Sequence, residues 1–290
     1  MQTIKTIRAL RATIKQWRQD RQSIAFVPTM GNLHAGHLKL VETARLQADK
    51  VVVSIFVNPT QFGPNEDFAN YPRTEQQDQD KLIACGTDLL FLPAVEEIYP
   101  QPLQTRISVE KLATIHCGAS RPGHFDGVAV VVCKLLNIVQ PDLLLLGEKD
   151  FQQLCVIRQM VTDLNIPVEI QGVPTVREAD GLAMSSRNGY LSNTERQLAP
   201  LLYQALSNVR EAIMAGGTDF DALTQQQAKI LQEAGFVIDY FAIARSTDLL
   251  PPGPDDTQLV VLIAAKLGKT RLIDNVYFSR QIPEKVQFLA

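Results

Sequence analysis

The sequence predicts an α/β protein: a Rossmann-like, doubly wound, mainly parallel sheet over residues 1–175, followed by a smaller α+β domain over residues 176–290. Three observations predict it. Strand-like apolar runs alternate with helix-like stretches through the first part, which implies parallel strands joined by helical crossovers. The runs are unbroken rather than alternately polar, as burial on both faces of a sheet requires. Beyond Pro174 the order changes to helices and then consecutive strands, which suits a separate α+β unit.

In order, the first part reads as strand SIAFVPT (23–29), helix GHLKLVETARLQA (36–48), strand VVVSIFVN (51–58), helix RTEQQDQDKLIACG (73–86) and strand DLLFLP (88–93). It continues as helix FDGVAVVVCKLLNIV (125–139), strand LLLLG (143–147), helix DFQQLCVIRQMVTDLN (150–165) and strand VEIQGV (168–173). Each helix repeats apolar residues at a spacing of three to four, which places them on one face. The second part reads as helices 193–216 and 219–235, then strands VIDYFAIA (237–244), QLVVLIAAKLG (258–268) and TRLIDNVYF (270–278), with LGKT turning between the last two. No internal repeat is present.

A chain of 290 residues, 46% hydrophobic, is long enough to bury a substantial core. Its 28 Lys and Arg against 31 Asp and Glu argue against a nucleic-acid surface, which needs clustered positive charge. The opening stretch MQTIKTIRALRATIKQWRQ carries a charge every few residues and lacks the apolar core of a signal peptide. The longest apolar runs, VAVVVC (128–133) and LVVLIAA (259–265), fall short of the ~20 residues that span a bilayer. Cys85, Cys117, Cys133 and Cys155 form no C-x-x-C pair and read as reduced, with Cys133 and Cys155 filling core. The expectation is a cytoplasmic protein without membrane or nucleic-acid partners.

Four segments carry chemistry. PTMGNLHAGH (28–37) follows the first strand and opens a helix; His34 and His37 flank Gly36, and a helix N-terminus offers free N–H groups to an anion. An H-x-x-H pair is also compatible with metal ligation or an ordinary surface. MSSRN (184–188) is a cationic loop candidate, although Ser-Ser-Arg occurs in many plain loops. GEKDFQQ (147–153) lies where LLLLG ends, the edge at which open parallel sheets bind ligands. There Lys149 can neutralise phosphate, Asp150 can cap the next helix and Gln153 offers an amide. FVNPTQFGPNEDFANYPRT (56–74) is long enough to be a lid. Asn58 or Gln61 can equally tie this loop to its own backbone. No G-x-G-x-x-G follows a strand, and Ile263 stands where a P-loop ending in Lys269 and Thr270 needs its first glycine. His116 and His124 are weak metal candidates, His124 reading as a cap or packing residue at a helix start.

The H-x-G-H turn resembles the nucleotidyltransferase superfamily, and MSSRN resembles that superfamily's KMSKS loop with Arg187 in place of its second lysine. With RPGHFDGVAVVVCKLLNIVQPD (121–142), the segments PTMGNLHAGH, VNPTQFGPNEDF, YPRT, GEKDFQQL and MSSRN occur in the order found in the pantothenate synthetase family, and the resemblance spans nearly the whole chain. It implies ATP, D-pantoate and β-alanine as substrates, Mg²⁺ as the accompanying cation, a pantoyl adenylate intermediate and a homodimer.

Residue by residue, the resemblance implies that Met30, Gly31, Asn32, Leu33, His34, Ala35, Gly36 and His37 form the ATP turn, with His37 as proton donor. Gly147, Glu148, Lys149 and Asp150 would contact ATP, Lys149 on phosphate. Val176, Met184, Ser185, Ser186 and Arg187 would complete the nucleotide site from the second domain, the two serines and the arginine acting with His34, His37 and Lys149 in catalysis. Gln61 and Gln153 would hold pantoate. The helix after YPRT matches the family less well, so the Mg²⁺ ligands are unassigned, with Asp78 the one candidate. Two rivals stay open: a nucleotidylyltransferase whose nucleotide remains on the product, and a nucleotide-binding protein without turnover.

Overall fold

The structure, a computed structural model, describes residues 1–64 and 66–281. The chain divides into two compact units, one of residues 1–178 with 184–186, the other of residues 179–183 with 187 onward.

The first unit contains β1 (Gln2–Ile4), α1 (Ile7–Gln19), β2 (Ile24–Thr29), α2 (Ala35–Arg45), β3 (Lys50–Ile55), α3 (Glu75–Ala84), β4 (Leu89–Phe91) and α4 (Val95–Ile98). It continues with α5 (Cys117–Ser120), α6 (His124–Val139), β5 (Leu143–Gly147), α7 (Phe151–Asp163) and β6 (Glu169–Val173). The six strands form one parallel sheet in the order β1-β4-β3-β2-β5-β6. Successive residues of β2 serve opposite faces. Ile24 and Phe26 join a core with Leu10 and Ile14 of α1, residues of α6 and Leu154 of α7. Ala25 and Val27 join another with Leu40 and Val41 of α2 and Leu82 of α3. Fully burying a side chain such as Phe26 contributes roughly 1.5–3 kcal/mol, and two such faces explain why β2 must be apolar throughout.

The strand order reverses at β2, whose neighbours β3 and β5 continue the chain in opposite directions across the sheet. Pairing of β2 with β5 covers only Ala25↔Leu143 and Phe26↔Leu144. The ladder ends there, and the carboxyl ends of β2 and β5 at this reversal are the position at which doubly wound sheets take ligands.

The sequence pattern does not announce β1, an edge strand too short for a periodic signal, nor α1, whose Thr6 accepts the Ala9 N–H as N-cap. At the opposite edge β6 is mostly half-buried, with Glu169 exposed, so burial on both faces holds for the inner strands only.

The second unit contains α8 (Asn193–Leu198), α9 (Leu201–Met214), α10 (Phe220–Glu233), β7 (Phe236–Arg245), β8 (Gln258–Leu267) and β9 (Thr270–Ser279). Its sheet is antiparallel, β7-β8-β9, with Leu206, Val209 and Leu231 of the helices packed on Val261, Ile263 and Leu272. Gly268, at φ +57°, makes the tight turn between Leu267 and Thr270, so the GKT sequence is a hairpin and no P-loop. No described helix is long and apolar enough to cross a membrane. None of the four cysteines forms a disulfide; Cys117 and Cys155 are buried, and Cys133 is only partly buried.

Candidate active site

The first element of the site is the turn that carries the chain from Thr29 into α2. Gly31 (φ +83°) and Asn32 (φ +50°) are successive left-handed residues. A Cβ at Gly31 would lie 3.0 Å from Ile55 Cγ2 and 3.2 Å from Asp78 Oδ2, so neither the conformation nor the space admits a side chain. Two imidazoles then build the cap of α2. His34 Nδ1 accepts the Gly36 N–H at 3.2 Å, and His37 Nδ1 accepts the His34 N–H at 3.3 Å. This is a capping box made of histidines. Since both Nδ1 atoms accept, each neutral ring carries its proton on Nε2 and offers that N–H outward. The rings lie 4.1 Å apart, and a Cβ at Gly36 would sit 2.9 Å from His34 Cε1. Glycine at 36 therefore lets the His34 ring fold over the helix start.

Burial is the main cause that lowers the His34 pKa to about 4, with Lys149 and Lys81 adding to it against Asp150 and Glu178. Burial, then His34, Lys149 and Lys81 bring His37 to about 3. Both rings are uncharged at neutral pH. In this uncharged state His37 offers Nε2–H as a hydrogen-bond donor. The helix N-terminus is also less open than expected, because His34 itself takes the Gly36 N–H and the His34 carbonyl takes those of His37 and Leu38.

Asp78, the one metal candidate, is turned to another use. It is 1% exposed; Oδ2 accepts the Asn32 N–H at 2.8 Å and the Thr74 hydroxyl at 3.1 Å, and Oδ1 accepts the Leu33 N–H at 2.8 Å. Both oxygens are committed to the chain.

Beyond β5, a single 3-10 turn (Glu148–Asp150) leads into α7. The Lys149 side chain is mostly buried, with Nζ 3.9 Å from Asp150 Oδ2. Asp150 occupies the N-cap position of α7 yet makes no side-chain cap bond, contrary to the expectation from sequence. Burial raises the Glu148 pKa against the pull of Arg158. The two glutamines that follow diverge. Gln152 is buried, donating to Leu112 O (2.7 Å) and Ile115 O (2.8 Å) and accepting from Cys117 N (3.1 Å). Gln153 is half-buried, and its amide has no protein partner among the described residues.

The loop after β3 hangs on Asn58, 1% exposed. Its Oδ1 accepts from Tyr99 OH (2.8 Å) and Thr60 Oγ1 (3.0 Å), and its Nδ2 donates to Gln61 Oε1 (3.0 Å) and Gly127 O (3.2 Å). The structural reading of Asn58 therefore holds, and Gln61 keeps its NH₂ end uncommitted. A latch that the sequence reading missed closes the loop. Arg121 forks onto Glu66 with two 2.6 Å bonds. His124 Nδ1 donates to the Gln61 carbonyl at 2.8 Å while its Nε2 accepts from Arg121 at 2.9 Å. Burial works to raise the Glu66 pKa, but the Arg121 bond and charge and the Gly63 N–H outweigh it and bring the group to about 2. Burial and then Arg121 lower His124 to about 4. His124 does not cap α6, whose N-cap is Gly123, but it packs on Phe125 at the helix start, the other role read for it; the R-P-G-H spacing there was the available clue to the latch. Asn65 of this loop lies outside the described residues.

The MSSR segment reaches the first turn through Asn32. Ser186 Oγ donates to Asn32 O at 3.1 Å, and Asn32 Nδ2 donates to Ser186 O at 3.4 Å. Met184 N–H donates to Val176 O at 3.0 Å. Val176, Met184, Ser185 and Ser186 belong to the first unit, whereas the sequence reading assigned them to the second; Arg187 opens the second unit.

Three kinds of comparison bear on this geometry. The family described as pantoate-beta-alanine ligase matches residues 2–277. Among relatives, the pantothenate synthetase of Pseudomonas savastanoi pv. phaseolicola is 56% identical over 97% of this chain and 100% of its own length. That of Azotobacter vinelandii is 58% identical over 95% and 98%. Among solved structures, pantothenate synthetase from Thermus thermophilus superimposes with a TM-score of 0.90 at 48% identity, covering 95% of this chain and 99% of that one. The pantoate-beta-alanine ligase of Francisella tularensis, complexed with beta-gamma ATP and beta-alanine, gives 0.79 at 37%, covering 95% and 97%.

Proposed function

The chain belongs to the pantoate-β-alanine ligase family, and from that premise we propose how its residues divide the work. The enzyme condenses pantoate with β-alanine to pantothenate, and it uses ATP. In the proposed first step a pantoate carboxylate oxygen bonds to the α-phosphorus of ATP, the bond from that phosphorus to the β-phosphate oxygen breaks, and pyrophosphate leaves. In the second, the neutral amine of β-alanine attacks the acyl carbon of pantoyl adenylate, the bond to AMP breaks, and the amine loses a proton.

The observation that carries this reading is the paired Nε2–H donors of His34 and His37 beside the carboxyl ends of β2 and β5, with Lys149 close enough to depress both rings. Donors fixed before the reaction favour the transition state, in which charge grows on phosphoryl oxygens, over the ground state. Lys149 supplies a fixed positive charge there, and the arriving triphosphate raises both imidazole pKa values against it. Met30 to Leu33 and Ala35 to Gly36 shape the turn, and Gly147, Glu148, Asp150, Val176, Met184 and Ser185 border the nucleotide. The free amide ends of Gln61 and Gln153 bind pantoate. The phosphate role of Arg187 rests on the family resemblance alone.

Mg²⁺ enters with the triphosphate. Asp78 holds the turn with three hydrogen bonds while Oδ1 keeps an accepting site, and among the described residues no three His, Cys, Asp or Glu side chains converge. Phosphate oxygens and water would supply most of the oxygen ligands this ion prefers. Four cysteines without a disulfide support a cytoplasmic location, and the family resemblance supports a homodimer.

Mass spectrometry of products tests the reading. With ATP, Mg²⁺ and D-pantoate but no β-alanine, pantoyl adenylate should accumulate, and added β-alanine should convert it to pantothenate and AMP. Nucleotide retained on the final product would move the reaction to a nucleotidylyltransferase; no ATP consumption would leave nucleotide binding alone.

A further inference from the structure

We propose that Asp78 and Lys81, one turn apart on α3, are positioning residues for adenylation: they hold the 31–34 turn so that His37 presents Nε2–H to the reacting phosphate. The proposal rests on the adenylation reading above and assigns the two side chains a part in it.

The turn needs an outside hold because its backbone is costly. Asn32 sits in the left-handed region, which L-residues seldom adopt, although asparagine does so more readily than most. The turn brings the consecutive N–H groups of Asn32 and Leu33 into one concavity of the kind that binds an anion. The Asp78 carboxylate fills it, taking the N–H groups of Asn32 and Leu33 at 2.8 Å each. Lys81 then donates to the Leu33 carbonyl at 2.6 Å. The same peptide group ends in the His34 N–H, which donates to His37 Nδ1. A cation on the oxygen of a peptide strengthens its N–H as a donor, since hydrogen bonds in series polarise one another. The relay from Lys81 through the Leu33–His34 peptide therefore keeps a proton off Nδ1 and on Nε2.

Neither residue touches a reacting atom, so the effect should appear in turnover and tautomer more than in ATP affinity. The test compares Asp78→Asn and Lys81→Met with wild type and with Asp80→Asn, an exposed neighbour on α3, in pyrophosphate release and in ¹⁵N-histidine NMR, with His37 assigned through His37→Gln. Asp78→Asn should lower kcat about 100-fold, the scale of a small misplacement of catalytic groups, with KM for ATP changed less than about threefold. Lys81→Met should lower kcat about tenfold and move part of the His37 population to the Nδ1–H tautomer. Asp80→Asn should match wild type. The proposal fails if the variants keep wild-type kcat, if kcat falls while the His37 tautomer stays fixed, or if raised Mg²⁺ restores Asp78→Asn, which would make Asp78 a metal ligand. Should Asp78→Asn not fold, Lys81→Met decides. Failure of wild type itself to release pyrophosphate would overturn the adenylation reading instead.

Discussion

Two loops leave neighbouring strands at the same edge of the sheet and are held in different ways. The turn after β2 is gripped through its backbone, by a buried carboxylate on two N–H groups and an ammonium on one carbonyl. The loop after β3 is tied mainly through side chains, the Asn58 hub and the Arg121–Glu66 fork. Backbone-directed bonds leave a segment few alternative conformations, which suits donors that must be in place before charge develops. A side-chain latch can open without refolding the chain, which suits a segment that admits substrate and then excludes water. Rigidity is invested where the phosphoryl chemistry is proposed, and release where pantoate binding is proposed.

Acid should break both regions, and the turn more. The folded pKa values of His34, His37 and His124, about 4, 3 and 4, lie below the ordinary 6.5, so the stability they carry is complete above pH 6.5 and drains as pH falls toward those values. Between pH 7 and 5 each should cost about 2 kcal/mol, two of the three from the turn; urea unfolding at pH 7, 6 and 5 checks it, and a flat profile would mean these rings are already charged. Next in size, His37→Ala and Lys149→Ala should each slow pyrophosphate release by ~10²–10³, with His37→Ala losing about 1 kcal/mol of stability as a cap is removed.

On the loop side, Gly127→Ala should destabilise by about 2–3 kcal/mol, since its Cβ would collide with the Thr60 carbonyl and α6 could no longer lie against Pro59–Gln61. Gly123→Ala meets open space and should cost only ~1 kcal/mol for its positive φ, so equal losses would sink the packing argument. Glu66→Gln leaves Arg121 without its carboxylate and should cost about 1–2 kcal/mol, raising KM for pantoate while KM for ATP stays put; a change in ATP alone would join the two loops into one device. Smallest, Gln153→Ala should raise KM for pantoate about tenfold, the worth of one hydrogen bond.

Much of this was readable before any coordinates. Unbroken runs such as LLLLG and VVVSIF marked the inner strands because a strand buried on both faces has no polar alternative. PTMGNLHAGH and GEKDFQQ fell at strand ends for the same reason that ligands do. The edge strand β1 escaped notice because three residues carry no period. The hold of Asp78 on the 31–34 turn was not legible, because a carboxylate in sequence shows its charge and not its partners. Arg121, Glu66 and His124 lie far apart along the chain, so no local spacing joins them.

Chain chemistry alone set the strand and helix pattern, the two histidines and the lysine, because burial and charge are properties of residue type. It could not set the protonation of those histidines, the hydrogen-bond partners of Asp78 or the burial of Gln152. Those depend on which distant groups come within 3 Å of one another, and desolvation and hydrogen bonding act only at that range.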